Sequence, residues 1–322
     1  MLRIKNQASY SSNVLNIVNL IGDLFLVVFP ITMIIGYTLR ARVRQLRIGN
    51  YLQYVVMVLV FTMALWAGNI VASNYVFYIV LYSIIYALFS IITSLAFTIP
   101  ISLVLGTRHA QEIHMGNNSR INVKLPLVLL IILVTGWLLG YYVRYGPLIN
   151  YLNYLITFEL LILILVIGLD IGSSINTSLL AQGYLGIVIA IVSLLGSSIS
   201  GLILHYLVKI PLTASLGISM GMGWYSLTGP LLSVRFGPAI GTLAFLANFL
   251  REQLTYLLVP SMVIIGFRDI ALISIGGATS MDDTLPIYRL YMGETNGFIA
   301  FVSGFVITII LPELLPYVIA IK

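Results

Sequence analysis

Cysteine is absent from this chain of 322 residues. That excludes disulfides, thiolate metal sites and thiol nucleophiles. Histidine is scarce, with only His109, His114 and His205. The first two share a polar stretch at a five-residue offset that suits no single helical face, so no metal site is expected. Charge is the third shortage. Charged residues make up 8% of the chain and hydrophobic ones 60%, with a mean hydropathy of +1.07. An ordinary soluble domain is about 25% charged. The composition excludes a water-soluble globule and predicts an all-α polytopic membrane protein with the lipid bilayer as its solvent. The formal +6 is no nucleic-acid footprint, because the basic residues punctuate loops instead of lining one face.

Catalytic signatures are missing as well. No P-loop, HExxH or GxSxG pattern occurs. A DDxxD prenyl-diphosphate site would need an acid where Pro286 stands, and Gly168-Leu169-Asp170 lacks the second glycine of an aspartyl-protease turn. An intramembrane enzyme is therefore the weaker reading, and no cofactor is expected. Without an ATP site, any pumping draws on an ion gradient.

What is present is a succession of apolar runs near the 20 residues that cross a bilayer. They place about ten spans at 16–39, 51–72, 75–105, 125–143, 150–172, 183–206, 212–233, 238–265, 271–288 and 297–320. Residues 1–15 read as an extra-membrane leader. Arg40, Arg42, Arg44 and Arg47 fill the first loop, and Arg108, Arg120 and Lys124 the third. The positive-inside rule makes both loops cytoplasmic, so both termini lie outside the cell membrane.

A repeat recurs at an offset of 104 residues. Ile34-Ile35-Gly36-Tyr37-Thr38-Leu39-Arg40 aligns with Leu138-Leu139-Gly140-Tyr141-Tyr142-Val143-Arg144, and Met63-Ala64-Leu65-Trp66-Ala67-Gly68 with Ile167-Gly168-Leu169-Asp170-Ile171-Gly172. Three spans per period make the copies, 16–105 and 125–208, inverted in the membrane. Residues 212–322 follow as a C-terminal transport-site region. Inverted repeats with broken helices at the midplane mark secondary transporters.

Two spans are irregular. Gly276-Gly277-Ala278-Thr279-Ser280-Met281-Asp282-Asp283-Thr284-Leu285 runs into Pro286, with two carboxylates and three hydroxyls in a weakened backbone. Gly217 to Pro230 holds Gly221, Gly223, Gly229 and Pro230 beside Trp224, Tyr225, Ser226 and Thr228. Irregular backbone at membrane depth is tolerated only against protein or a hydrated cavity. Helix packing alone would explain the small residues but not the aromatic and hydroxyl groups.

Of the ten acids, Glu112, Asp269 and Glu294 fall in loops, and Asp23 and Glu313 near span ends. Glu159, Asp170, Glu252, Asp282 and Asp283 remain inside the membrane, where an acid costs several kcal/mol unless partnered or wet. Glu252 shares a helical face with Asn248 and with Thr255 or Tyr256, and diverges by about 100° from Arg251. It reads as a carboxylate for a cation or proton, or as half of a structural ion pair. Of the adjacent aspartates, one faces a cavity and the other caps a half-helix.

The order Gly223-Trp224-Tyr225-Ser226-Leu227-Thr228-Gly229, Phe236-Gly237-Pro238-Ala239-Ile240-Gly241, Arg251-Glu252 and Gly277-Ala278-Thr279-Ser280-Met281-Asp282 with Thr284-Leu285-Pro286 resembles the LysO family of lysine exporters. The resemblance spans roughly residues 215–290. It implies export of L-lysine and toxic analogues in exchange for protons, with Glu252 essential. One departure stands out. The family pattern places an acid near the end of the second span, whereas Trp66 to Asn74 contains none. Asp170 or Asp23 takes over its duty, or the substrate or stoichiometry differs. Carboxylates suit the ammonium groups of lysine, half-helix N–H groups its carboxylate, and Trp224 or Tyr225 its methylene stem. A sodium–proton antiporter would use the same acids without the Trp-Tyr-Ser cluster.

Overall fold

Backbone in hydrocarbon must bond to itself, so long apolar runs coil into helices. The computed structural model describes residues 27–46, 49–70, 73–105, 124–143, 146–174 and 183–321. The leader, Asp23 and the stretch with His109, Glu112 and His114 lie outside them. The helices are α1 (Val27–Thr38), α2 (Arg40–Gln45), α3 (Gly49–Ile70), α4 (Ser73–Val104), α5 (Lys124–Val143), α6 (Gly146–Ser174), α7 (Tyr184–Val208), α8 (Leu212–Met220), α9 (Tyr225–Phe236), α10 (Pro238–Ile264), α11 (Ile273–Gly276) and α12 (Leu285–Ala320). No strand occurs among the described residues.

Three stretches are clearly long and apolar enough to cross a bilayer: Val76–Val104, Tyr184–Val208 and Thr295–Ala320. Large apolar side chains such as Phe77, Ile92, Leu195 and Leu207 stay exposed, as suits a protein solvated by lipid. Two of the ten expected spans are not continuous helices. The 212–233 span is split into α8 and α9, and 271–288 is a series of short turns. The last expected span, 297–320, coincides with Thr295–Ala320, while α12 as a whole starts at Leu285 and kinks at Gly293 (φ 85°). Glu294 consequently lies on α12 at that kink, not in a loop.

Small residues set the packing. α3 lies between α5 and α6; α4 packs on α7 and α10; α12 packs on α7 and α8. The α4–α7 contact is a hydroxyl zipper, with Ser90 3.2 Å from Ser200 and Ser94 3.0 Å from Ser197. The α1–α6 and α3–α5 contacts repeat each other. A Cβ on Gly36 would strike Leu169, and one on Gly140 would strike Leu65; Gly172 likewise abuts Met33, and Gly68 abuts Trp137. Each second pair is the first displaced by 104 residues with the copies exchanged.

Candidate functional site

Between α8 and α9 the helix stops for four residues. Met222 (φ 53°) and Gly223 (φ 88°) take left-handed conformations, the former an uncommon one for a side-chain-bearing residue. Asn248 on α10 repairs the interrupted ladder. Its Oδ1 accepts the Gly223 N–H at 2.9 Å, and its Nδ2 donates to Ile218 O and Ala244 O at 3.0 and 2.9 Å. Asn248, expected to line the site, thus has both ends of its amide engaged by backbone. Gly221 has no room for a side chain, since a Cβ would lie 2.5 Å from both Asn248 Nδ2 and Thr228 Oγ1.

The second break starts at Gly276-Gly277. The Tyr288 hydroxyl accepts the Gly276 N–H at 3.0 Å and lies 3.3 Å from the carbonyls of Leu272 and Ile273. Thr279 Oγ1 donates to Gly276 O at 3.0 Å, and Ser280 Oγ reaches Gly277 O at 2.7 Å and Ala300 O at 2.9 Å. Both hydroxyls, candidates from sequence, are directed at backbone. Pro286 occupies the first turn of α12, where its missing N–H costs nothing.

The two breaks cross in contact. The Ala278 N–H donates to Met222 O at 2.8 Å. Gly277 (φ 61°) leaves no room for a Cβ, which would run into the Met222 carbonyl. Gly277→Ala should therefore destabilise the protein more than Gly266→Ala. Gly266 has φ 94° but nothing within 4 Å, so alanine there incurs only the left-handed strain of about 1–2 kcal/mol. Equal melting temperatures for the two variants in detergent would contradict a tight crossing.

Around this crossing the acids gather. Glu252 is 2% exposed; its Oε1 accepts from Gln253 Nε2 at 3.3 Å and its Oε2 has no partner. Asp282 and Asp283 lie close enough for their charges to act on it, and Tyr225 and Tyr256 share the same field. Asp170, from α6, is within electrostatic reach of Asp282. Asp282 is exposed and Asp283 half-buried. The Tyr256 hydroxyl donates to Asp283 O at 2.8 Å, and the Asp283 N–H donates to Asp282 Oδ1 at 2.6 Å. Neither aspartate caps α12, whose N-cap is Thr284 without a side-chain bond. The Tyr225 ring is held edge-on at 5.2 and 5.6 Å by Phe245 and Phe249. Trp224 is half-buried at the start of α9, followed by buried Ser226. Gly229 lets α9 approach Phe245, and Pro230 sits inside α9.

The Arg251–Glu252 ion pair is not made. Arg251 is 1% exposed and points away from the acids. Its Nε donates to Ile275 O at 3.0 Å, Nη2 to Ser274 O at 2.8 Å and Ser94 Oγ at 3.2 Å, and Nη1 to Ser197 Oγ at 2.9 Å. It thus holds the carbonyl end of α11, the end that favours positive charge. Arg251 is thus turned from the clustered carboxylates and aromatic rings, an arrangement suited to an organic cation or to protons. No group suited to a metal ion occurs among the described residues. Sequence reasoning missed Tyr288 and the Arg251 clamp; a tyrosine one turn into a helix beside a glycine break was the available signal.

Residues 130–319 match the sequence profile of the family described as "Lysine exporter LysO". An Escherichia coli protein named "Lysine exporter LysO" is 34% identical over 163 residues, covering 50% of this chain and 53% of its own length. A Haemophilus influenzae protein named "Putative lysine exporter" is also 34% identical over 163 residues, covering 50% of this chain and 82% of its own. The chain spans about half the length of the Escherichia coli relative. No solved structure matches.

Proposed function

The chain belongs to the lysine exporter LysO family, and from that premise we propose that it exports L-lysine and lysine analogues from the cell in exchange for protons. The observation that carries this reading is the meeting of Glu252, Asp282 and Asp283 at two crossed helix breaks while Arg251 is turned away. An acidic cluster not neutralised by Arg251 suits a cation from outside. Lysine brings two ammonium groups and a methylene stem, for which Trp224 and Tyr225 offer apolar and cation–π surface. Its carboxylate suits the N-terminal turn of the half-helix α9, beyond the already bonded Gly223 N–H. Glu252 can hold a proton or an ammonium group but not both, and that competition couples the two fluxes. Asp282, the exposed member of its pair, receives the substrate first; Asp170 reinforces it from α6.

The architecture we infer is a ten-span transporter in the plasma membrane with both termini outside. Its first six spans form an inverted repeat related by the 104-residue offset. The reciprocal glycine contacts of α1–α6 and α3–α5 support that symmetry, because a two-fold axis in the membrane plane generates each contact from the other. Rocking of one repeat against the other would then expose the crossing alternately to either side.

Proteoliposome counterflow with lysine, arginine and ornithine, with and without a pH gradient, tests the reading. Labelled lysine should accumulate, faster with an opposing proton gradient, and Asp282→Asn and Trp224→Ala should impair it more than Asp23→Asn. Sodium flux without lysine flux would instead support a cation antiporter.

A further inference from the structure

One carboxylate lies deep in the bundle and takes no part in the crossing. Glu159, in the middle of α6, is 6% exposed and flanked by buried Ile156 and Leu163. One of its oxygens accepts the Thr62 hydroxyl of α3 at 2.9 Å; the other, Oε2, has no partner. One turn along α3, the indole N–H of Trp66, 1% exposed, is also unpartnered, as is the buried amide nitrogen of Asn69. Thr62, Trp66 and Asn69 stand at i, i+4 and i+7, on one face of α3. Unused donors and an unused acceptor thus share the α3–α6 seam, and they are the partners that a water molecule requires.

Among the described residues, no counter-charge faces the acid. Arg44 of α2 donates to the Ser173 carbonyl near the far end of α6, and Arg40 lies over the exposed Tyr37 ring of α1. Arg42 of α2 is exposed, as are Tyr51 and Tyr54 of α3 and Tyr151 and Tyr154 of α6 itself. On α9, Tyr225 packs on Phe245 and Phe249, and Arg235 bonds Ile319 O at 3.3 Å. Asp170 is three turns further along α6. Among the described residues, Thr62 is the side chain that bonds Glu159. A lone carboxylate in such surroundings is poorly suited to a standing negative charge. Trp66 and Asn69, one and two turns beyond Thr62 on the same face of α3, carry unused hydrogen-bonding capacity near that seam.

We propose that Glu159, held by Thr62 in the α3–α6 seam, is a second proton-binding site, loaded and emptied during transport and separate from the Glu252 cluster. Thr62 donates to one oxygen throughout. The other takes a proton from water on loading and returns it to water on release, so that no further reactant is needed. The site's transport role rests on the exporter reading, but its protonation does not.

Infrared pH titration of the purified protein in lipid reads the site without substrate. A protonated-carboxyl C=O band should appear on acidification and vanish on alkalinisation. It should be lost in Glu159→Gln and shifted in frequency in Thr62→Val, which keeps the acid and serves if the glutamine variant fails to assemble. In proteoliposomes, Glu159→Gln should retain lysine-for-lysine exchange but exchange fewer protons per lysine than the parent. A band unchanged by these substitutions, a band constant across pH, or an unaltered proton-to-lysine ratio overturns the proposal. Absence of lysine flux in the parent protein would count against the exporter reading alone, since the band is read independently of it.

Discussion

Glu252→Gln should reduce lysine efflux by about 100-fold or more while the protein still inserts in the membrane. The substitution keeps shape and a hydrogen-bonding oxygen, so packing around the 2%-exposed side chain survives. What it removes, on the proposed mechanism, is the carboxylate that would carry a proton in one state and face an ammonium in the other. A hydrogen bond to a charged group is worth about 1.5–3 kcal/mol net, and each 1.4 kcal/mol is a factor of ten. Loss of that contact alone therefore gives roughly 10- to 150-fold, and loss of proton exchange at the same atom adds to it. Efflux from cells loaded with a lysine dipeptide, normalised to membrane-inserted protein, measures the effect. Retained transport at the parent rate would remove Glu252 from the mechanism.

The second large effect is on assembly and concerns the preceding residue. Arg251→Met should abolish stable folding or lower the melting temperature by many degrees, with Arg251→Lys rescuing only part. The guanidinium supplies donors to two carbonyls and two hydroxyls from α4, α7 and the α11 turn. Methionine fills the volume but leaves the carbonyls of Ser274 and Ile275 unpaired in a dry interior, at about 1–3 kcal/mol each. Removing a buried charge offsets part of this, because an unpaired guanidinium is itself costly to desolvate. Here the four hydrogen bonds already compensate the charge, so the unpaired carbonyls decide the sign. Lysine offers a point charge in place of the planar fork and cannot reach all four acceptors. Thermal unfolding in detergent provides the measurement, and an unchanged midpoint would refute the clamp.

Much of the site was written locally. Gly276-Gly277 ahead of Pro286 announced a broken span, as did Gly221, Gly223 and Pro230, because backbone freedom and a missing N–H are properties of single residues. Glu252 stood out as an acid in an apolar helix. What the sequence withheld was pairing at a distance. Nothing about Met222 marks it for a left-handed conformation or for the carbonyl that Ala278 seeks. Carbonyl partners carry no side-chain signature either, so the reach of Arg251 towards Ser274 and Ile275, and of Asn248 towards Gly223, could not be read. The same limit hid how the broken span 271–288 is held, since its geometry is set by Tyr288 and Arg251.

The crossing of Met222 and Ala278 bears on how such a protein can evolve. Its contact is main chain to main chain, with glycine on either side because no Cβ fits. Point mutation alters side chains and cannot exchange one carbonyl for another, so the crossing offers selection nothing to adjust by small steps. On the proposed reading, drift in preference between one cationic amino acid and another would fall to the rim, at Trp224, Tyr225, Tyr256 and the aspartates. The centre is a fixed frame, and adaptation is restricted to the residues that surround it.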